Sequence, residues 1–221
     1  MHVIIINGSP RTSQLSNTNK ILQAFIKGYE AEGNTCELYS LSKRSEWDAA
    51  REAYLKNEKI IFALPMYVES IPSLMLEFLD SLPTERQQPA ELSFIVHGGF
   101  DEGYQFRLCE RLLMSITMQL GCAYGGCLIK GGSFMLRLFG DNEVEKMTKP
   151  YIKMGRSYAS YGNFLTPASL KFTGPERYPW LVRQLTGIIL KLIANRKFEQ
   201  FARDWGCNTR LDIQVYKSEQ S

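Results

Sequence analysis

The sequence has few cysteines, few histidines and no long apolar run, and each scarcity argues against a class of protein. The five cysteines are odd in number, and no two of them have CxxC spacing. A disulfide framework, a zinc site and an iron–sulfur cluster are therefore not expected, and the cysteines are predicted to be free thiols. The two histidines, His2 and His97, are too few for a histidine-rich metal site.

The chain also lacks the marks of a membrane, secreted or nucleic-acid-binding protein. No segment reaches the ~18 apolar residues that a membrane span needs. The first residues form a short apolar run without a preceding basic segment, which is not typical of a signal peptide. The formal net charge is only +3, and the basic residues are scattered rather than clustered. We predict a cytoplasmic protein that does not bind nucleic acid.

What the sequence does contain is a regular alternation of apolar runs and amphipathic segments. The apolar runs predict strands at 3–6, 35–41, 59–64, 92–96 and 122–129. The segments between them predict helices at 18–31, 45–57, 73–82 and 104–120, with Ser45 as a possible cap of the second. Such an alternation indicates an α/β fold with a doubly wound, five-stranded parallel sheet. Ligands of such sheets bind outside the carboxyl ends of the strands.

The last third of the chain has a less regular pattern. A helix is predicted at 141–161, with Pro150 expected to kink or split it. One glycine and three prolines predict a loop over 163–179. A further amphipathic helix is predicted at 180–195. We therefore predict two parts: a domain at 1–135, and a helical C-terminal extension at 136–221 that packs on the domain or on a partner subunit. Basic residues flank the last helix, but packing is favoured over contact with a membrane surface.

The loop after the first strand has the composition of a phosphate-binding segment. It joins a buried strand to a helix, whose first N–H groups are unpaired and carry partial positive charge. Arg11 adds a guanidinium, and the hydroxyl groups come from Ser9, Ser13, Ser16 and Thr18. The patterns GxGxxG and GxxxxGK[ST] are both absent. This favours a static terminal phosphate over a nucleoside triphosphate, with an ordinary polar turn as the alternative.

Three segments together resemble the family of NADPH-dependent FMN reductases and flavodoxin-like NAD(P)H oxidoreductases. The first runs from Ile6 to Arg11 and continues at 16–18. The second, at 63–72, reads Ala-Leu-Pro-Met-Tyr-Val-Glu-Ser-Ile-Pro, and the third, at 97–100, reads His-Gly-Gly-Phe. The resemblance covers residues 1–130. It implies a flavodoxin-like fold. The sequence lacks the compact cysteine cluster of those relatives that carry iron–sulfur clusters.

The resemblance also implies which residues hold the cofactor FMN. The phosphate would be bound by Ser9, Arg11, Ser16, Asn17 and Thr18. The flavin ring would be bordered by Pro65, Met66, Tyr67 and Val68, with Gly98 and Gly99 allowing close backbone approach and His97 and Phe100 flanking it. No catalytic side chain and no metal ligand is predicted, since the flavin itself carries the chemistry.

The implied function is transfer of a hydride from NAD(P)H through bound FMN to a small acceptor, such as a quinone, a nitro or azo compound, or a flavin. A homodimer is expected from the family. A non-enzymatic flavin-binding electron carrier or redox sensor is the alternative that shares the same fold and loop. A hydrolase or metal enzyme is disfavoured, because His97 is the only plausible base and no GxSxG motif is present. As a further hypothesis, the C-terminal extension partly covers the flavin of its own or a partner subunit.

Overall fold

The computed structural model describes residues 1–12, 15–86 and 88–209; within the last helix, side chains at 189, 190, 192–195 and 197 are outside the description. The chain divides into two compact units, Met1–Arg177 and Tyr178–Ser221. The first unit thus continues past residue 135, where the sequence analysis placed a boundary. It contains every strand of the described residues and the site described below.

The first unit is built on a five-stranded parallel sheet with the strand order β2-β1-β3-β4-β5. Its strands are β1 (His2–Asn7), β2 (Thr35–Ser40), β3 (Lys59–Pro65), β4 (Glu91–His97) and β5 (Ala123–Lys130). This is the flavodoxin-like order, in which the chain reverses direction across the sheet between β1 and β3. The predicted fold class is confirmed.

The helices of the first unit fall on the two faces of this sheet. They are α1 (Asn17–Glu30), α2 (Trp47–Lys56), α3 (Ser73–Asp80), α4 (Arg107–Gln119), α5 (Asp141–Tyr161) and α6 (Pro167–Thr173). Short 3₁₀ turns occur at Arg44–Glu46, Gly103–Phe106 and Ser133–Arg137. Each strand contributes alternate side chains to two separate buried clusters, one with α2, α3 and α4 and the other with α1 and α5.

Three local predictions differ from the structure. Ser45 does not cap α2, because the chain first makes the turn Arg44–Glu46 and the helix starts at Trp47. The segment predicted as a loop contains α6, where Thr166 caps the helix by accepting from the Ser169 N–H at 3.2 Å. Pro167 occupies the first helical turn, where a proline leaves no hydrogen bond unmade, so it favours this helix rather than breaking it.

The third difference concerns Pro150, which was predicted to kink or split its helix: α5 is continuous from Asp141 to Tyr161, so the split does not occur. A proline removes the bond from its own nitrogen to the carbonyl four residues earlier, here that of Lys146. Both Pro150 and Lys146 are exposed. The freed carbonyl therefore lies on the solvent side of the helix, where water can satisfy it.

The second unit is described up to residue 209 and contains α7 (Trp180–Asp204). This helix continues past residue 195, where its apolar periodicity predicted an end. Among the described residues, no helix combines the length and apolar character needed to cross a membrane.

The packing of α1 against α5 depends on two glycines. A Cβ on Gly28 would lie 2.0 Å from the carbonyl oxygen of Ile152, and a Cβ on Gly155 would lie 2.0 Å from the carbonyl oxygen of Phe25. Each helix thus places a glycine against the backbone of the other. The two helices can approach at this distance only because neither position carries a side chain.

We expect Gly155→Ala to lower the free energy of unfolding by about 2 kcal/mol or more, since the methyl group overlaps backbone that cannot rotate away. Urea unfolding followed by circular dichroism measures the change. Gly187→Ala is the matched control, because Gly187 is also helical but has no atom within 4 Å of a Cβ. This control should be neutral or stabilising. Equal effects of the two substitutions would contradict the proposed helix contact.

Candidate functional site

The loops that follow β1, β3, β4 and β5 meet at the carboxyl end of the sheet and enclose a cavity of about 340 Å³. This volume lies in the usual range of small-molecule sites, roughly 300–1,000 Å³. The site is where doubly wound sheets bind their ligands. Its lining consists of Ser9, Arg11, Leu15, Asn17, Thr18, Pro65, Met66, Tyr67, Val68, His97, Gly98, Gly99, Phe100, Ser133, Phe134 and Arg137.

The predicted cofactor residues therefore come together in one place, with the single exception of Ser16. Ser16 is fully buried and caps α1: its hydroxyl oxygen accepts from the Asn19 N–H at 3.2 Å. Ser13, which the sequence analysis counted among the hydroxyl groups of this loop, lies outside the described residues.

The start of the loop after β1 is shaped by its own side chains. The Ser9 N–H donates to the Asn7 side-chain oxygen at 3.0 Å, and the Ser9 hydroxyl oxygen accepts from the Arg11 N–H at 3.3 Å. Both Asn7 and Ser9 are buried. These bonds turn the chain sharply after the strand and hold the backbone of the loop against the cavity.

His97 joins three of the loops through a continuous chain of hydrogen bonds. Its Nε2 lies 2.8 Å from the Thr18 hydroxyl, and its Nδ1 lies 2.8 Å from the Ser133 hydroxyl. The Ser133 hydroxyl donates its only hydrogen to the Gly98 carbonyl at 2.9 Å. Nδ1 must therefore carry the proton that Ser133 accepts, and Thr18 must donate to the bare Nε2. The chain thus fixes one tautomer of the ring.

The His97 ring is neutral in this environment. It is only 3% exposed, and this burial lowers the pKa of His97 to about 3. His97, at the end of β4, therefore connects α1 to the turn after β5 through hydrogen bonds, and it does not exchange protons near neutral pH.

The loop after β3 forms a tight turn at the mouth of the cavity. Tyr67 and Ser70 exchange backbone hydrogen bonds of 2.8 and 3.0 Å, and the two residues between them have positive φ angles, 46° at Val68 and 61° at Glu69. A left-handed conformation is strained for a β-branched residue such as valine. The turn leaves the Val68 side chain 91% exposed at the rim.

The two glycines after β4 have different reasons for lacking a side chain. A Cβ on Gly98 would lie 2.9 Å from the Phe106 ring, which is fully buried, so Gly98 is required by the core. A Cβ on Gly99 would meet only Phe134, at an ordinary 3.6 Å. A side chain at position 99 would therefore fit without a clash at its Cβ, but it would reduce the volume of the cavity.

The charged residues in the described lining of the cavity are all positive. This described lining contains no aspartate or glutamate, whereas it contains two arginines, Arg11 and Arg137. Neither guanidinium has a hydrogen-bond or ion-pair partner among the residues that the structure describes. An unpaired pair of cations beside a helix N-terminus favours an anionic ligand.

Four lining residues were not predicted from the sequence: Leu15, Ser133, Phe134 and Arg137. The last three come from the segment after β5, which the sequence analysis left unassigned because no motif marks it. A usable signal was the position itself, since Lys130 ends a strand of the same parallel sheet and the next residues must emerge at the same edge.

A larger groove of about 580 Å³ lies elsewhere, between α1 and α5. It is lined only by residues of those two helices, including Lys20 and Lys27 on one side and Asp141 and Glu145 on the other. It contacts none of the loops at the strand ends, and its charges are of both signs. The smaller cavity at the carboxyl ends is therefore the better candidate for a binding site.

Comparison with known proteins supports the same architecture. Residues 1–90 match the family model Flavodoxin_2, described as a flavodoxin-like fold. No curated protein sequence matches the chain. Many solved structures do match, and three of them are 14%, 16% and 18% identical to this chain.

Three solved structures illustrate the likeness. An FMN-dependent NADH-azoreductase from Bacillus anthracis, solved with FMN, is 14% identical, with 73% of this chain and 99% of that chain covered and a TM-score of 0.53. An NAD(P)H:quinone oxidoreductase from Methanothermobacter marburgensis is 16% identical, with 71% and 96% covered and a TM-score of 0.55. An NADH:FMN oxidoreductase in its apo form is 18% identical, with 79% and 96% covered and a TM-score of 0.54.

These findings agree with the resemblance that the sequence motifs carried. The family model covers residues 1–90, and the sheet with its flanking helices has the corresponding fold. At identities this low, likeness to the solved structures establishes the fold and leaves the ligand to be argued from the site.

We expect the buried His97 to make the protein less stable as the pH falls from about 6.5. The unfolded chain binds a proton at the ordinary histidine pKa, about 6.5, whereas the folded chain resists protonation down to about 3. Stability is thus complete above pH 6.5 and falls by about 1.4 kcal/mol per pH unit below it.

The measurement is urea unfolding of the wild type and of His97→Gln at pH 7.5 and pH 5.0. The variant lacks the titrating group, so its acid-induced loss should be smaller than that of the wild type by about 2 kcal/mol. Carboxylates elsewhere contribute equally to both proteins and cancel in the difference. An identical loss in the two proteins would show that His97 is not held neutral.

Proposed function

We propose that this chain binds FMN in the cavity at the carboxyl ends of its strands and is an NAD(P)H-dependent oxidoreductase. The observation that carries the proposal is the convergence of the three family motifs, far apart in sequence, on one cavity that has unpaired guanidinium groups and an aromatic rim. Hydride would pass from NAD(P)H through the flavin to a small acceptor such as a quinone, a nitro or azo compound, or another flavin.

The residues of the cavity fit the two halves of FMN. A phosphate requires donors and positive charge, and the N-terminal turn of α1 with Arg11 supplies them. A flat ring requires apolar walls, and Met66, Tyr67, Phe100 and Phe134 supply these. The absence of carboxylates from the lining also suits a ligand that carries negative charge at physiological pH.

The chemistry of such an enzyme belongs to the flavin, which when bound accepts a hydride and passes reducing equivalents on. The side chains of this protein would bind and orient. His97 holds the loops together and stays neutral, so it does not act as an acid or base at neutral pH. Tyr67 and Phe100 are exposed at the mouth, where they would contact a flat substrate on the open side of the ring.

The names of the similar structures favour the same chemistry without deciding the acceptor. They are described as azoreductases, quinone oxidoreductases and an NADH:FMN oxidoreductase, and one of them was solved with FMN. A nicotinamide donor is common to these descriptions and FMN is named in two of them, whereas the electron acceptor differs among them. A homodimer, a cytoplasmic location and the lack of contact with nucleic acid or a membrane surface stay predictions from the sequence.

The decisive experiment is a visible absorption spectrum of the purified protein after addition of FMN and desalting, repeated after anaerobic addition of NADPH and, separately, NADH. We expect a retained flavin spectrum that bleaches with at least one of the two. Retention without bleaching would instead favour the electron carrier or redox sensor. Complete loss of flavin on desalting, with no binding in a titration, would refute the proposal.

Gly99→Leu tests the location of the flavin. The side chain is expected to be tolerated by the fold but to occupy cavity space, with a cost in binding of about 1–3 kcal/mol, or about 5- to 150-fold in the Kd for FMN. Quenching of flavin fluorescence measures the Kd, and thermal unfolding checks the fold. Arg111→Gln, at an exposed position of α4 outside the cavity, is the control. An unchanged Kd in a folded Gly99→Leu protein would place the flavin elsewhere.

A further inference from the structure

Two of the three hydroxyl groups that the family motif offers to a phosphate, those of Ser16 and Thr18, are engaged elsewhere in this chain. The Ser16 hydroxyl oxygen caps α1, and Ser16 does not line the cavity. The Thr18 hydroxyl has a single hydrogen, and the His97 tautomer requires it to be donated to Nε2. Thr18 therefore has no hydrogen left for a phosphate oxygen. Ser9 lines the cavity and is 2% exposed; its oxygen accepts from the Arg11 N–H, so its hydrogen stays available to a phosphate.

Only one of the two arginines in the described lining of the cavity belongs to the family motif. Arg11 belongs to the motif, but Arg137 does not, because it lies after β5, beyond the segment that carries the resemblance. The nearby cation Lys20 is already engaged, since its ammonium donates to the Leu136 carbonyl at 3.1 Å. The guanidinium groups of Arg11 and Arg137 are thus the cationic groups of the described lining that have no partner.

Arg137 is held on the same side of the cavity as the N-terminal turn of α1. The turn Ser133–Arg137 is attached there by two side chains of the helix. The Asn17 amide donates to the Ser133 carbonyl at 2.8 Å, and Lys20 donates to the carbonyl of Leu136, the residue directly before Arg137. The buried bond between His97 and Ser133 fixes the turn from a third direction.

We propose that Arg137 is a second phosphate-binding residue, which together with Arg11 makes this cavity selective for a flavin that carries a phosphate monoester. The inference rests on the proposed FMN function. A phosphate monoester has a charge of about −1.5 to −2 at pH 7, and two guanidinium groups match that charge, which neutral hydroxyl groups cannot do. The motif would then supply the backbone and one cation, and the segment after β5 would supply the other.

The test compares two ligands that differ only in the phosphate, FMN and riboflavin. Quenching of flavin fluorescence gives their Kd values for the wild type and for Arg137→Gln. The variant should bind FMN about 10-fold more weakly or worse, which is the effect of losing one charge-assisted hydrogen bond, and riboflavin should change by less than about twofold. Arg11→Gln should behave alike, and the double variant should bind both ligands nearly equally.

Further variants separate charge from folding. Arg137→Lys keeps the charge but not the two-pronged geometry, so its FMN affinity should lie between those of the wild type and Arg137→Gln. The preference for FMN over riboflavin should also shrink as salt is added, because the interaction is between exposed charges. Arg111→Gln should leave both Kd values unchanged.

Two results would overturn the inference. One is an unchanged ratio of FMN to riboflavin affinity in Arg137→Gln while Arg11→Gln lowers that ratio. The other is a loss of NADP⁺ binding by the FMN-loaded Arg137→Gln variant with no loss of FMN affinity, which would assign the guanidinium to the dinucleotide. Failure of the wild type to bind either flavin would instead refute the proposed function, so the two failures are distinguishable.

Discussion

The buried imidazole of His97 is the constraint on which the site depends. It stands at the end of β4 and joins the first turn of α1 to the turn after β5, so three loops from different parts of the chain share one point of attachment. Desolvation in the core keeps the ring neutral, and the bond from Ser133 to the Gly98 carbonyl then selects a single tautomer. In the sequence, His97 is the only plausible catalytic base. In the structure its role is to connect the loops, because the burial that positions the ring also prevents it from taking up a proton near neutral pH.

Much of the architecture could be predicted because it follows from short-range patterns. Runs such as Val3 to Ile6 are apolar without alternation, which is what a strand covered on both faces requires, and the strands β1, β3 and β4 were located in this way. Parallel strands also end at one edge, so the lining of the cavity could be named from the residues after β1, β3 and β4. The roles of single residues could not. Ser16 and Thr18 are both hydroxyls of one loop, yet one caps a helix and the other binds His97, seventy-nine residues away. Nothing local in the sequence distinguishes them.

Glycines show the same division between local and long-range causes. In the sequence, Gly98 and Gly99 form one flexible pair beside a flavin site, whereas in the structure Gly98 makes room for Phe106 and only Gly99 faces free space. Gly28 and Gly155 were inconspicuous within helical segments, although they set the separation of α1 and α5. Their importance comes from the partner helix, which no pattern within one helix could reveal. The role of Arg137 could not be predicted for the same reason, because the turn that carries it is held beside α1 by hydrogen bonds from Asn17 and Lys20, which are distant in sequence.

The left-handed turn at Val68 and Glu69 has a consequence for how the cavity meets its ligand. A conformation that costs of order 1–3 kcal/mol persists only where the rest of the fold enforces it, here through the paired backbone bonds of Tyr67 and Ser70. The unfavourable free energy is therefore borne during folding, before any ligand arrives. A glycine at this position would relieve the strain but would let the rim sample many shapes, each of which a ligand would have to select against. The strained valine exchanges some thermodynamic stability for preorganisation of the mouth.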